Sequence, residues 1–214
     1  MRLLQKFDQR FSLSKRHPKF GIRRLPEHLN ITFCFGGVSF CLLLLLASSG
    51  FLLALYYIPS SLEAFTSIAT IQHKIPFGRF IRSIHKWSAY LLVVFIFLHT
   101  VRVVIYRAYQ KPRELHWFSG VFLMLLVAAS GFTGYLLPWD QKAYWATRVG
   151  TTLVEKIPLI GSWISLFLRG GTEITGVTLS RFFAFHVLLL PFSTTLFLWI
   201  HFHMIKRTGV KETL

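Results

Sequence analysis

The chain has 214 residues, 53% of them hydrophobic and 16% aromatic, with only 15% charged and a mean hydropathy of +0.52. A soluble domain carries about 25% charged residues, so the deficit excludes an ordinary water-soluble fold. The net charge of +16 sits beside long apolar runs and comes with no groove or stacking motif, which speaks for membrane anchoring and against nucleic-acid binding.

In chain order, Leu3, Leu4, Phe7 and Phe11 recur at helical spacing among Arg2, Lys6 and Arg10. Residues 1–29 therefore read as a basic amphipathic segment lying on a membrane. They lack the apolar core of a cleavable signal. No Asp, Glu, Lys or Arg occurs from Asn30 to Leu62, from Leu115 to Trp139, or from Phe182 to Ile205. Each stretch exceeds the ~20 apolar residues that cross a bilayer. A further run from Phe80 to Tyr106 keeps Arg82, Lys86 and Arg102 near its ends, where basic side chains snorkel. The pattern predicts an all-α membrane protein, a bundle of four transmembrane helices over about 31–57, 80–106, 115–137 and 178–206. These lie within a domain of residues 30–209, followed by a tail of residues 210–214. The connection after Pro138 is the longest, and short surface helices are expected in it. Its apolar stretch Ile157–Leu168 is too short to span and holds Pro158 and Gly161, which fits a helix in the membrane interface. Basic residues are denser at both termini and between the second and third spans, which places both termini on the cytoplasmic side, or its organellar equivalent.

Nine histidines are present, and five fall inside spans: His85 and His99 in the second, His186, His201 and His203 in the fourth. His17, His28, His73 and His116 fall in or beside polar connections and receive no role. His85 and His99 are 14 residues apart, close to four full turns and ~21 Å along one helix face. His186 and His201 are 15 apart, again nearly on one face. The second and fourth spans run parallel, so His85 meets His186 at the outer level and His99 meets His201 at the inner level. His203 lies roughly 200° around from His201 and reads as a packing or headgroup residue. Two imidazoles per level, with no neighbouring Cys, Asp or Glu, are too few for zinc. They suit the two axial positions of a haem iron. Gly36 and Gly50 in the first span, and Gly120 and Gly134 in the third, repeat the 14-residue interval of the second-span histidines. Glycine leaves room for a flat macrocycle between helices; close helix–helix packing at small residues is the other reading. The two cysteines, Cys34 and Cys41, are too few for a disulfide framework.

Together the segments PEHLNITFCFGG (Pro26–Gly37), GRFIRSIHKWSA (Gly78–Ala89), FLHTVRV (Phe97–Val103), QKPREL (Gln110–Leu115), SGFTGYLLPWDQKAYWA (Ser130–Ala146), IPLIG (Ile157–Gly161), RFFAFH (Arg181–His186) and HFHMIKR (His201–Arg207) resemble the cytochrome b family. The likeness runs from about Leu25 to Gly209 and fits both the b6 form and the N-terminal half of mitochondrial and bacterial cytochrome b. The resemblance implies two b haems, a low-potential one at His85–His186 and a higher-potential one at His99–His201. It also implies quinol oxidation on the outer side and quinone reduction on the inner side, coupled to proton translocation. Arg82 matches an arginine near an outer haem propionate. Arg113 and Lys206 match basic positions near the inner haem and the quinone-reduction site. Interfacial anchoring is the alternative reading of these basic residues. Lys19 stands where the chloroplast form has an acidic residue, and Lys206 where it has Arg. FCFGG occupies the place where the b6 form attaches an extra haem c through one thioether, here at Cys34, while Cys41 matches no attachment position.

The Pro-Glu-Trp-Tyr motif of quinol oxidation is absent from the chain; in the split form of the family it sits on a smaller separate subunit. The partners implied are membrane lipid, that subunit, a Rieske-type iron–sulfur protein and a c-type cytochrome or equivalent acceptor, in a dimeric complex. The competing reading is a dihaem membrane anchor of a dehydrogenase or hydrogenase. A channel or transporter without redox chemistry is a distant third.

Overall fold

The structure is a computed structural model that describes residues 31–208. The expected N-terminal surface segment, Lys19, His17, His28 and the tail at 210–214 lie outside the described residues. A 3₁₀ turn at Ile31–Cys34 leads into α1, Phe35–Ala54, followed by α2 at Ala64–His73 and α3 at Gly78–Ile105. Then come α4 at Glu114–Leu136, α5 at Gln141–Glu155, α6 at Gly161–Arg169 and α7 at Gly176–Ala184. A π-helical turn at Phe185–Leu189 joins α7 to α8, Leu190–Thr208. No strand occurs among the described residues.

Among the described residues four helices are long and apolar enough to cross a membrane: Thr32–Ala54, Gly78–Ile105, Glu114–Leu136 and the continuous Gly176–Arg207. Their outward faces carry large apolar side chains such as Phe51, Phe80, Val93, Phe97, Phe118, Leu188 and Phe192, all exposed. In water such a surface would be an aggregation hazard; in a bilayer it is the ordinary lipid face. The chain is an integral membrane protein.

The helix ends differ from the sequence expectation for identifiable reasons. The first span stops at Ala54 rather than near 57, just ahead of Pro59, and the Tyr57 hydroxyl donates to the Leu137 carbonyl at 2.7 Å. An unanticipated helix, α2, follows. It turns tightly into α3 through Phe77, at φ 59°, and Gly78, where a Cβ would collide with the Ile71 carbonyl. In the LPWD segment Trp139 takes φ 52°, and Asp140 then caps α5 by accepting from the Ala143 amide at 2.8 Å. The interfacial helix begins at Gly161 rather than Ile157, after Pro158 and a left-handed Leu159 at φ 69°. Thr175 and Thr178 form a reciprocal capping box that starts the last span.

Where α2, α5 and α7 meet the end of α4, Ala64, Leu136, Ala143, Leu179 and Phe182 form the one buried apolar cluster found among the described residues. Arg169 is buried at the edge of this layer. Its guanidinium donates to Thr151 Oγ1 at 2.8 Å and Thr152 Oγ1 at 3.0 Å, and it faces Glu155 at 3.7 Å. The surface helices therefore form a folded cap over one end of the bundle.

Candidate haem-binding site

The spans associate as two antiparallel pairs, and each pair sets glycine against histidine. A Cβ built at Gly50 would lie 3.0 Å from the His85 ring, and one at Gly36 would lie 3.1 Å from His99, so α1 and α3 match at both levels. In the other pair a Cβ at Gly134 would lie 2.6 Å from His186, and one at Gly120 would lie 3.2 Å from His201. Equal 14-residue intervals on antiparallel helices bring both contacts into register at once. The glycines are thus notches that receive the imidazoles, which is more specific than close packing of two backbones.

The 15-residue interval between His186 and His201 is reconciled by the π-turn. At Phe185–Leu189 the Leu190 amide reaches back five residues to the Phe185 carbonyl, so one residue is absorbed without advancing the helix face. The effective interval is then 14, equal to that of His85 and His99. Pro191 stands immediately downstream; it lacks an amide proton and crowds the carbonyl four residues back, which a wider turn accommodates.

The two helix pairs meet through their histidines. The ring centroids of His85 and His186 are 6.3 Å apart. One metal ion with imidazole bonds of about 2 Å on each side holds two such centroids roughly 6 Å apart. His99 and His201 share the second level. No group of three or more His, Cys, Asp or Glu converges as a metal site among the described residues. A metal here must bring its other ligands with it, as haem iron does. The notches, the facing His85 and His186 rings and this donor set fit a haem at that level, and the Gly36–His99 and Gly120–His201 contacts repeat the notches at the second.

Hydrogen bonds orient the rings. Ser49 Oγ lies 3.0 Å from His85 Nδ1, Ser119 Oγ lies 2.9 Å from His201 Nδ1, and the Ser130 carbonyl lies 2.9 Å from His186 Nδ1. In each case Nδ1 is engaged, and Nε2 is the nitrogen through which the ring would bind a metal.

The remaining site residues of the sequence reading are spread around these levels. Arg82 Nη1 donates to Gln72 Oε1 at 2.5 Å on α2, close to the His85 end of the bundle. Arg113 is the residue preceding α4 and Lys206 is exposed in the last turn of α8. Cys34 is exposed at the start of α1, and Gly37 has open space where a side chain would project. His203 is exposed and stacks on Trp199 at 5.8 Å between centroids. His116, given no role from sequence, stands with Nε2 3.2 Å from His201 Nε2 and its ring 4.3 Å from that ring. A signal was available: His116 is one turn before Gly120, hence on the face that meets His201.

Comparison with known proteins agrees with the geometry. The family model described as cytochrome b/b6/petB matches residues 22–209. Cytochrome b6 of Cyanidium caldarium is 40% identical over 208 residues, covering 97% of both chains. The cytochrome b subunit of the menaquinol:cytochrome c reductase of Geobacillus thermodenitrificans is 40% identical over 215 residues, covering 97% of this chain and 96% of that one. In solved structures, a hyperthermophilic respiratory complex III superposes with a TM-score of 0.84 at 29% identity over 97% of this chain. The present chain spans 55% of that longer one. A match along nearly the whole described bundle, with four imidazoles set in four glycine notches, leads to one conclusion: the chain belongs to the cytochrome b/b6/petB family.

Proposed function

We propose that His85 with His186, and His99 with His201, are the axial ligands of two b-type haems stacked across the membrane. The chain is a cytochrome b6-type subunit of a bc/b6f-type quinol oxidoreductase. The observation that carries the ligand assignment is the facing of His85 and His186 at 6.3 Å between centroids, each ring seated against a glycine. Bound haem iron supplies reversible one-electron acceptance; the polypeptide holds, orients and insulates. Gly36, Gly50, Gly120 and Gly134 admit the rings, and the apolar faces of four spans exclude water from the path between levels.

The direction of flow rests on the placement of basic residues. With both termini cytoplasmic, the His85–His186 level and the α5–α7 cap face outward, where quinol is oxidised, and His99–His201 lies near an inner quinone-reducing site. The cap supports this reading because a folded layer can wall a substrate pocket. Arg82 on the outer side, and Arg113 and Lys206 on the inner side, offer cations to haem propionates or to quinone. The oxidation site is completed by a smaller subunit carrying the Pro-Glu-Trp-Tyr motif. A Rieske-type iron–sulfur protein takes one electron and passes it to a c-type cytochrome or its equivalent, in a dimeric assembly coupled to proton translocation.

Cys34 carries a third haem through a single thioether bond. Its exposed thiol at the start of α1, the open space at Gly37 and the FCFGG segment support this. After denaturing electrophoresis, haem stain stays with this band in the wild type and is lost in Cys34→Ser; an unstained wild-type band refutes the attachment.

The function is tested by purifying the complex and identifying its subunits by mass spectrometry. A Rieske-type protein and two b haems per chain in the reduced-minus-oxidised spectrum are expected. A large dehydrogenase or hydrogenase subunit in their place would establish the membrane-anchor reading instead. His85→Ala or His186→Ala should remove one b haem, His99→Ala or His201→Ala the other, and His203→Ala neither. The isolated polypeptide should bind haem without oxidising quinol.

A further inference from the structure

Residues immediately before the glycine notches are not alike. Ser49 precedes Gly50, Ser119 precedes Gly120 and Thr133 precedes Gly134, whereas Phe35 precedes Gly36. Each hydroxyl spends its only proton on its own helix: Ser49 Oγ donates to the Leu45 carbonyl at 2.5 Å, Ser119 Oγ to the His116 carbonyl at 2.7 Å, and Thr133 Oγ1 to the Ala129 carbonyl at 2.8 Å. With that proton committed, Ser49 and Ser119 have only lone pairs to offer. They can therefore only accept from His85 Nδ1–H and His201 Nδ1–H. The Ser130 carbonyl, which can only accept, does the same for His186, with Thr133 Oγ1 at 3.4 Å behind it. At the Gly36 notch the preceding residue is Phe35, which has no hydroxyl to play this part for His99.

Resting on the ligand reading above, we propose that Ser49 and Ser119 are positioning residues that set the haem potentials through His85 and His201. An acceptor on Nδ1–H fixes the tautomer and makes the imidazole a stronger donor at Nε2. A stronger donor favours oxidised iron, so each such bond lowers the potential of its own level. At His85 the Leu46 carbonyl stands beside Ser49, and at His201 the His116 carbonyl stands beside Ser119, so each serine adds a hydroxyl acceptor to a backbone one. Serine suits this role better than a residue with free donors, since in a helix it returns its proton to the preceding turn. Threonine keeps the same chemistry, as Thr133 shows in this molecule.

The test is a redox titration of the b haems in the intact membrane complex. Ser49→Ala should raise the midpoint potential of the His85–His186 haem and leave the other unchanged. At a fixed poise its oxidised-to-reduced ratio should fall several-fold, up to about tenfold, which is about 59 mV for one electron. Ser119→Ala should do the same at the other level. Ser49→Thr and Ser119→Thr should keep wild-type values. Loss of a haem in the alanine variant with retention in the threonine variant also supports the role of the hydroxyl. Wild-type potentials in both alanine variants, or equal shifts or equal haem loss in alanine and threonine variants, overturn it. The ligand reading fails by a separate result: two b haems persisting in His85→Ala or His201→Ala.

Discussion

The two histidine levels use the same parts and are finished differently. At the His85–His186 level the bundle runs into a folded layer, where Phe182, Leu179 and Leu136 are buried together and Tyr57 ties the end of the first span to Leu137. Both imidazoles there have an acceptor on Nδ1. At the His99–His201 level single residues stand instead: Arg102 over the Phe33 ring at 3.7 Å, His116 against His201, and the exposed Cys34 nearby in sequence at the start of α1. Rigid cover at one end and adaptable polar side chains at the other imply different tolerance to change.

The sharpest way to break this comparison is at the cap. Phe182→Ala removes a fully buried ring and should cost about 3–5 kcal/mol, read as a fall in the unfolding midpoint in detergent. Phe202→Ala, at the other end, removes a half-buried ring that meets Phe40 edge-on at 5.2 Å and should cost distinctly less. Equal losses would mean that the cap is no stiffer than the opposite end.

The notches give the next contrast. A Cβ at Gly134 comes within 2.6 Å of the His186 ring, whose Nδ1 is held by the Ser130 carbonyl; at Gly36 the clearance to His99 is 3.1 Å. Gly134→Ala should cost about 1–3 kcal/mol of overpacking and deplete the haem at that level. Gly36→Ala should retain both haems, with the His99 ring shifted by a few tenths of an ångström (about the overlap such packing relieves). Quantitation of b haem per chain checks both.

A smaller effect is expected at Tyr57, where burial holds the phenol well above its ordinary value. Its stabilising contribution is present below the unfolded-state pKa of about 10 and is lost as pH rises from there toward the folded value. Tyr57→Phe should cost about 1 kcal/mol at neutral pH, the worth of one hydrogen bond. It should also flatten the alkaline decline measured in thermal scans. The least effect belongs to Arg148 and Glu173, paired at 2.5 Å on the exposed face of the cap, where Glu173 raises the Arg148 pKa. Exposed pairs contribute little, so Arg148→Gln should leave the unfolding midpoint unchanged, and a drop comparable to that of Phe182→Ala would show the pair to be part of the cap's core.

Much of this arrangement is legible in the residues alone. Runs without charge mark spans because an unpaired charge in hydrocarbon is costly, whatever the rest of the chain does. Histidines and glycines at a shared 14-residue interval mark helix faces because the α-helical repeat is fixed by the backbone. Other features depend on which elements come to lie together. The 15-residue interval on the last span reads as one face only with the π-turn beside Pro191, and a turn of that kind is decided by local crowding, not by periodicity. Helix α2 has too little length and apolar period to stand out, and exists because it packs on α3 and beneath the cap. His116 looked like a connection residue because α4 begins only two residues before it; its meeting with His201 is created by the antiparallel pairing of α4 and α8. Period and polarity are properties of the chain, so sequence determined the spans and the faces. Which serine accepts from which imidazole required four helices to be brought within contact distance, and only the tertiary structure decides that.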